Sequence, residues 1–447
     1  MIPFIRATQR LKYYSLVLTN LLPIIKNFFV YASSACMLRS ITIITAPITM
    51  SMVAPTEYAL LALLNSFISV ACIIGGCGLR QALSLEYFHG EPAARKRLIN
   101  DILVTYIIFA LPLGIGSVFL HSAINHYFFM NMLPAYVIVS SLGIIFIYFF
   151  VELTYQLLHY EGKAWTLTLL QTAVALITIM TNLLLLCYVR LGVASMIIGQ
   201  LVGMLYLGTA SLYYRYVLPS TKLTMPSWQS LTRYLRAGLP FIPGMLCAWL
   251  LAAGDRWVLM RYATLHDVGI YSVADTFGQL FQMIILVPFS NAYLPALMKK
   301  FAHHAHSSQD LMRVEHENRT IMWCVVAGSL FMAASGYYLS KPLCYWLLPK
   351  AYQEAIPHIG LLLVGYIFLL ASYFPATLIQ FHKKSYFLAL ALGAPALFNV
   401  LLNVALVPAW GISGCVLATV ISYGLYWAIM LMYNHYLAKE IIVHSID

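Results

Sequence analysis

Five ionisable residues stand where the chain is otherwise apolar: Arg39, Glu152, Asp255, Arg256 and Asp275. A charge at mid-membrane depth costs about 2.5–3.5 kcal/mol even on lenient insertion scales, so each needs a partner, a cavity or a substrate. Arginine offers a planar, permanently charged fork that grips phosphate bidentately. Arg39, near the middle of the first apolar segment, and Arg256, toward the outer end of the seventh, are therefore candidates for binding an anionic group. A buried carboxylate holds a proton at an accessible pH. Asp275, a third of the way into the eighth segment, is the leading candidate for a proton or sodium site. Asp255 and Glu152 are the others. Two plainer readings stand beside these: Arg256 pairs with a nearby acid or snorkels to the surface, and Glu152, near the inner end of the fourth segment, is solvated at the interface.

The elements that position these residues follow from composition. Of 447 residues, 62% are hydrophobic and only 9% charged. No soluble core hides that much apolar surface, so the surrounding medium is lipid. A spanning helix needs about 20 apolar residues. Twelve segments qualify: 27–53, 57–79, 99–120, 132–155, 166–188, 193–213, 238–260, 268–293, 320–339, 358–380, 386–407 and 412–433. They are too long and too evenly apolar for barrel strands, and helices satisfy their own backbone in lipid. The net charge of +11 does not indicate nucleic acid. Twenty of the 26 lysines and arginines lie in the termini and alternate loops, which places that face, and both termini, in the cytoplasm.

The chain also repeats itself. Asn399 to Gly414, an apolar helix with two asparagines and a Pro/Gly corner, has a weaker copy from Thr181 to Ser195. Aligning Asn182 with Asn403 brings Lys163 onto Lys384; aligning Tyr58 with Tyr271 sets Arg256 against Ile43, one turn from Arg39. Six helices per half keep the same orientation, so the repeat is parallel, about an axis along the membrane normal. The expected organisation is a first lobe at 1–215, a cytoplasmic linker at 216–236 and a second lobe at 237–447.

Other residues carry less. The asparagines 182, 399 and 403 are expected to bond across helices. Pro47, Pro112, Pro240, Pro243, Pro288, Pro375 and Pro395 are expected to break or kink helices. The eight cysteines read as small hydrophobes, with no Cys-x-x-Cys. His303, His304 and His306 lack the spacing of a metal site, and no cofactor is expected. The N-terminus faintly resembles a signal peptide, but Lys26 interrupts its apolar run, so the first segment reads as uncleaved; whether residues 1–26 form an interfacial helix before it stays open at this point.

Leu235 to Pro243, Trp249, Asp255-Arg256, Val268-Gly269-Ile270-Tyr271 and Pro295 resemble the seventh and eighth helices of polysaccharide-transport flippases. Asn399 to Gly414 resembles their eleventh and twelfth helices, and Pro55 to Leu60 the corner after the first, with Ala59 where that family has glycine. The resemblance is to the O-antigen type within the multidrug/oligosaccharidyl-lipid/polysaccharide (MOP) exporter superfamily. It implies an all-α integral membrane protein of the MATE-like fold: two six-helix lobes around a central cavity. It further implies a non-enzymatic carrier in a bacterial inner membrane, moving a polyprenyl-pyrophosphate-linked oligosaccharide from the cytoplasmic to the periplasmic leaflet. A proton or sodium ion would be the counter-ion, and other polysaccharide-assembly membrane proteins the neighbours. Three other readings remain open at this point. One is a peptidoglycan-precursor flippase. Another is a multidrug exporter, which would want acids rather than an arginine in the first helix. The third is a membrane glycan polymerase or glycosyltransferase, which would want a large outer loop or an Asp-x-Asp motif.

Overall fold

The computed structural model describes residues 45–89, 92–212, 224–303, 308–382 and 384–443. Arg39, most of the first expected span, the segment 1–26, and His304 and His306 lie outside them.

Among the described residues every element is helical. In order they are α1 (Pro55–Gly75), α2 (Leu79–Glu86), α3 (Pro92–Phe119), α4 (His121–Phe129), α5 (Ala135–Tyr160), α6 (Ala164–Leu184) and α7 (Val193–Leu212). There follow α8 (Trp228–Gly238), α9 (Ile242–Ala253), α10 (Asp255–Tyr262), α11 (Leu265–Phe281), α12 (Val287–His303), α13 (Ser308–Leu347), α14 (Ile356–Phe381) and α15 (Ser385–Val443). All the expected spans from 57–79 onward fall on these helices. Nine helical runs among the described residues are long and apolar enough to cross a membrane, making this a multi-pass membrane protein. One of the nine, Leu390–Glu440, holds two expected spans, because α15 folds back at Gly411.

Gly411 has φ 53° and ψ −130°, a conformation that glycine enters without a Cβ clash. The offset that sets Asn182 on Asn403 sets Arg190 on Gly411; Arg190 also has a positive φ, 57°, but its ψ of 43° is the αL conformation, so the two corners turn differently. For a non-glycine residue the αL conformation costs about 1–2 kcal/mol.

The asparagines divide. In the orientation its neighbours demand, the Asn182 amide donates to the Thr178 carbonyl at 3.1 Å and crosses to the Ser195 carbonyl at 2.9 Å, tying α6 to α7. Asn403 instead donates to the backbone and side-chain oxygens of Asn399 at 2.9 and 3.0 Å, within one helix. Four residues is one helical turn, so a local partner was within reach before any neighbouring helix.

The expected linker is partly ordered as α8. Ser227 caps it, accepting from the Ser230 amide at 3.1 Å. Leu231 and Tyr234 turn inward while Arg233 stays exposed, the pattern of an amphipathic surface helix.

Helix centrality varies. Only 6% of the apolar window of the α6 span is buried, against 61% for the span containing α14. The α6 span therefore faces lipid, with Trp165, Leu169 and Met180 exposed. Helix α14 is the central pillar of the second half, packed on α11, α13 and α15.

The two halves meet through α1 against α11 and α2 against α8. At one end, Gly269 lies directly on the Pro55 backbone, and Tyr352 donates to the Val53 carbonyl at 2.7 Å. At the other end, Gly78 and Gly238 touch backbone to backbone, flanked by the Arg233–Glu86 ion pair at 2.9 Å and the Asn100–Thr224 hydrogen bonds. Small residues permit this approach, as in membrane helix pairs generally.

Candidate functional site

The apolar helix running from Ile242 breaks at Gly254, and α10 begins on Asp255 and Arg256. The break redirects the local hydrogen bonds. The Arg256 amide turns to Asp255 Oδ1 at 2.8 Å, and the Arg256 guanidinium takes the Ala252 carbonyl at 3.1 Å. Its other nitrogen reaches across to α11 and forms an ion pair with Asp275 Oδ2.

Asp275 is held on every side. Gln279, one turn along α11, donates to Oδ2 at 2.8 Å, and Tyr366 from α14 donates to Oδ1 at 2.8 Å. Tyr366 gets that close because Gly278 has no side chain; a Cβ there would sit in the tyrosine ring. Asp255 accepts from the Tyr271 hydroxyl and, at 3.4 Å, from Thr419 of α15. The Arg256 guanidinium also lies 3.7 Å from Asp255 Oδ1.

Asp255, Arg256 and Asp275 are 2%, 6% and 3% exposed, so the cluster is sealed from solvent. Two carboxylates share one guanidinium there. With both acids ionised the site carries one uncompensated negative charge, and burying a charge without a partner costs several kcal/mol. One added positive charge, or a proton on either acid, would balance it.

The cluster also sits just behind the contact between the halves. Thr276, next to Asp275, lies 3.5 Å from the Tyr58 hydroxyl of α1. Trp257, next to Arg256, donates to Ser66 Oγ at 2.9 Å, and Trp249 donates to the Ser66 carbonyl at 3.0 Å. A change in charge at Asp275 or Arg256 is thus one residue away from the surface that joins the two halves.

Three of the sequence-selected residues, Asp255, Arg256 and Asp275, converge here. Arg256 faces carboxylates, and a phosphate would have to displace Asp275 to reach it. Glu152 lies elsewhere, in an ion pair with Arg80 at 2.6 Å whose members are 22% and 36% exposed. Gln156 steadies that pair by donating to the Arg80 carbonyl at 3.1 Å. Partly exposed pairs contribute about 0–1 kcal/mol. Glu152→Gln is therefore expected to lower thermal stability only slightly and to leave the pH response of transport unchanged, both measured on reconstituted protein. Sequence reasoning missed Tyr366, Tyr271 and Thr419; a hydroxyl in an apolar helix has no signal of its own until its acid is placed beside it. Among the described residues no three His, Cys, Asp or Glu side chains gather as metal ligands.

The sequence model of the polysaccharide biosynthesis protein family matches residues 24–301. No curated protein matches the chain. Among solved structures, the lipid II flippase MurJ in an inward closed conformation is 14% identical, with a TM-score of 0.71 over 91% of this chain and 87% of its own. An inward-facing multidrug resistance MATE family transporter of the MOP superfamily is 16% identical, with a TM-score of 0.68 over 94% and 99%. A MOP superfamily transporter from Pyrococcus furiosus Vc1 is 14% identical, with a TM-score of 0.63 over 94% and 97%. At such identities the likeness carries the fold, while the family match covers more than half the chain: this protein belongs to the polysaccharide biosynthesis protein family and has the all-α membrane fold of MOP-superfamily transporters.

Proposed function

We propose that this protein is a flippase of the bacterial inner membrane. It moves a polyprenyl-pyrophosphate-linked oligosaccharide of the O-antigen type to the periplasmic leaflet by alternating access, and a cation taken up at the Asp255–Arg256–Asp275 cluster drives it. The observation that carries this reading is the cluster itself: two buried acids on one arginine, one residue from the contact with the other half.

A pyrophosphate cannot cross hydrocarbon bare, since an unpaired ion costs tens of kcal/mol by Born estimates. The polyprenyl tail needs no shelter. Two lobes, 1–215 and 237–447, would enclose the head group and rock about the contacts at either end, while the tail stays in the bilayer. With both termini cytoplasmic, the Pro55–Gly269 contact is the periplasmic one and the Gly78–Gly238 contact the cytoplasmic one. In each half-cycle one parts while the other holds. Arg39 is the residue assigned to the pyrophosphate. Arg256 is assigned to the acids, where its neutralising partner changes as a proton or sodium ion arrives. A peptidoglycan-precursor flippase would use the same fold; the family match favours the polysaccharide substrate.

The test is transport of lipid-linked oligosaccharide in vesicles with and without an imposed pH gradient. Asp275→Asn is expected to make flipping indifferent to the gradient, and Arg39→Ala to abolish flipping while the protein still inserts. Wild-type gradient dependence in Asp275→Asn removes the coupling role, and normal flipping by Arg39→Ala removes the phosphate role.

A further inference from the structure

A second buried carboxylate lies outside the cluster. Glu315, near the start of α13, is 3% exposed and has no lysine, arginine or histidine within ion-pair distance among the described residues. Two amides hold it instead. Asn434 from α15 donates to Oε1 at 2.6 Å, and Asn318, one turn along, donates to Oε2 at 3.1 Å. Asn318 also donates to the Phe374 carbonyl of α14 at 3.2 Å and accepts from the Tyr293 hydroxyl of α12 at 2.9 Å. Four helices thus close over one acid. Within this knot Asn434 Oδ1, on a residue 1% exposed, has no hydrogen-bond donor.

We propose that Glu315 is a proton-binding site at the cytoplasmic end of the second half, taking up and releasing one proton during the protein's working cycle. A proton from cytoplasmic water adds to a Glu315 oxygen, giving the neutral acid, and returns to water on release; no other bond changes. Once the Asn434 amide turns over, the new hydroxyl can donate to the oxygen that otherwise lacks a donor. A sodium ion fits less well. Both carboxylate oxygens already face N–H groups, which would point at a cation, and buried unsatisfied polar atoms are costly.

The surroundings agree. Burial raises the Glu315 carboxyl above its ordinary range, while the Asn434 and Asn318 amides and the Arg319 charge pull it back. Other ionisable groups on the packed elements include Glu317, paired with Lys300 of α12 at 3.3 Å, His316 beside Glu315, Tyr293 of α12, Tyr373 of α14, and Tyr426 and His435 of α15. The sign follows: a raised carboxyl means the folded protein binds more protons than the unfolded chain. Its contribution to stability is greatest on the acid side and is lost as pH rises through the folded value. Asn318, which holds Glu315, and Asp275 both bond to α14, at Phe374 and Tyr366, eight residues or roughly 12 Å apart along the helix. That Glu315 loads protons for Asp275 rests on the function proposed above; its protonation does not.

Infrared titration of the full chain in lipid vesicles tests this. The wild type is expected to show the C=O band of a buried carboxylic acid that fades as pH rises. The band should persist in Asp275→Asn and vanish in Glu315→Gln. Asn434→Leu removes a donor to the ionised form and should move the midpoint upward, a readout that survives if Glu315→Gln fails to fold. Four results overturn the proposal. They are no titrating band in the wild type, a band unaffected by Glu315→Gln, an unmoved midpoint in Asn434→Leu, and a band displaced by sodium at fixed pH. Wild-type protein that shows the band but moves no lipid-linked oligosaccharide would instead count against the transport reading alone.

Discussion

Arg256→Met is expected to lower stability by about 3–5 kcal/mol, because breaking a buried pair leaves its partner charged and alone. Here the loss is shared by two acids, since Asp275 loses its ion pair and Asp255 the guanidinium 3.7 Å away. The Ala252 carbonyl, freed where the helix breaks at Gly254, loses its donor as well. Thermal unfolding in detergent reads the effect. Methionine keeps the volume, so a cavity does not explain the loss. Arg256→Met combined with Asp275→Asn should recover much of the stability, since an amide beside Tyr366 and Gln279 carries no charge to strand. It should not recover transport. A single variant as stable as the wild type would mean that the arginine and its acids are not held as a pair.

Gly238→Val is expected to slow transport at least tenfold by wedging the halves apart at the Gly78 end. Gly238 has φ −90°, which valine adopts freely, so the backbone itself is not strained. The collision is with the other half: a Cβ at 238 would meet the Gly78 backbone and stand 2.9 Å from the Cys77 carbonyl, with nothing flexible to yield. Overpacking of this kind costs about 1–3 kcal/mol, and 1.4 kcal/mol is a tenfold change in an equilibrium. The thiol of Cys77, half-buried at that contact, reports the parting. Its alkylation rate, followed by mass spectrometry, should rise about tenfold in Gly238→Val. An unchanged rate with wild-type transport would mean that the glycine contact is not a gate.

Glu315 and Arg256 show where the sequence runs out. Arg256 stands out in an apolar run, so its importance was visible, but the choice between phosphate and carboxylate was not. Its partner is 19 residues away on another helix, and the tyrosine completing the site is 91 residues from Asp275. Nothing in the sequence singles out Glu315. It stands among Arg313, Glu317 and Arg319, a charged run that reads as a solvated face, and Arg313 is indeed exposed. Only the packing of α12, α14 and α15 turns one member of that run inward. Glu152 had two readings from sequence, an ion site and a solvated interface, and its pairing with the partly exposed Arg80 of α2 agrees with the plainer one. The asparagine pair at 399 and 403 was placed correctly on its helix, but its bonds stay within that helix.

The sequence by itself determined that the chain is a set of membrane helices, where they run, and that the Asn/Gly corner occurs twice. Those properties are local: lipid forces each segment to satisfy its own backbone, and a run of about 20 apolar residues is counted along the chain. The tertiary structure alone decided which charges meet, which half-buried turn becomes a contact between halves, and which acid stands without a cation. Electrostatic partnership depends on distance through space and on the removal of water, and neither is written in spacing along a sequence.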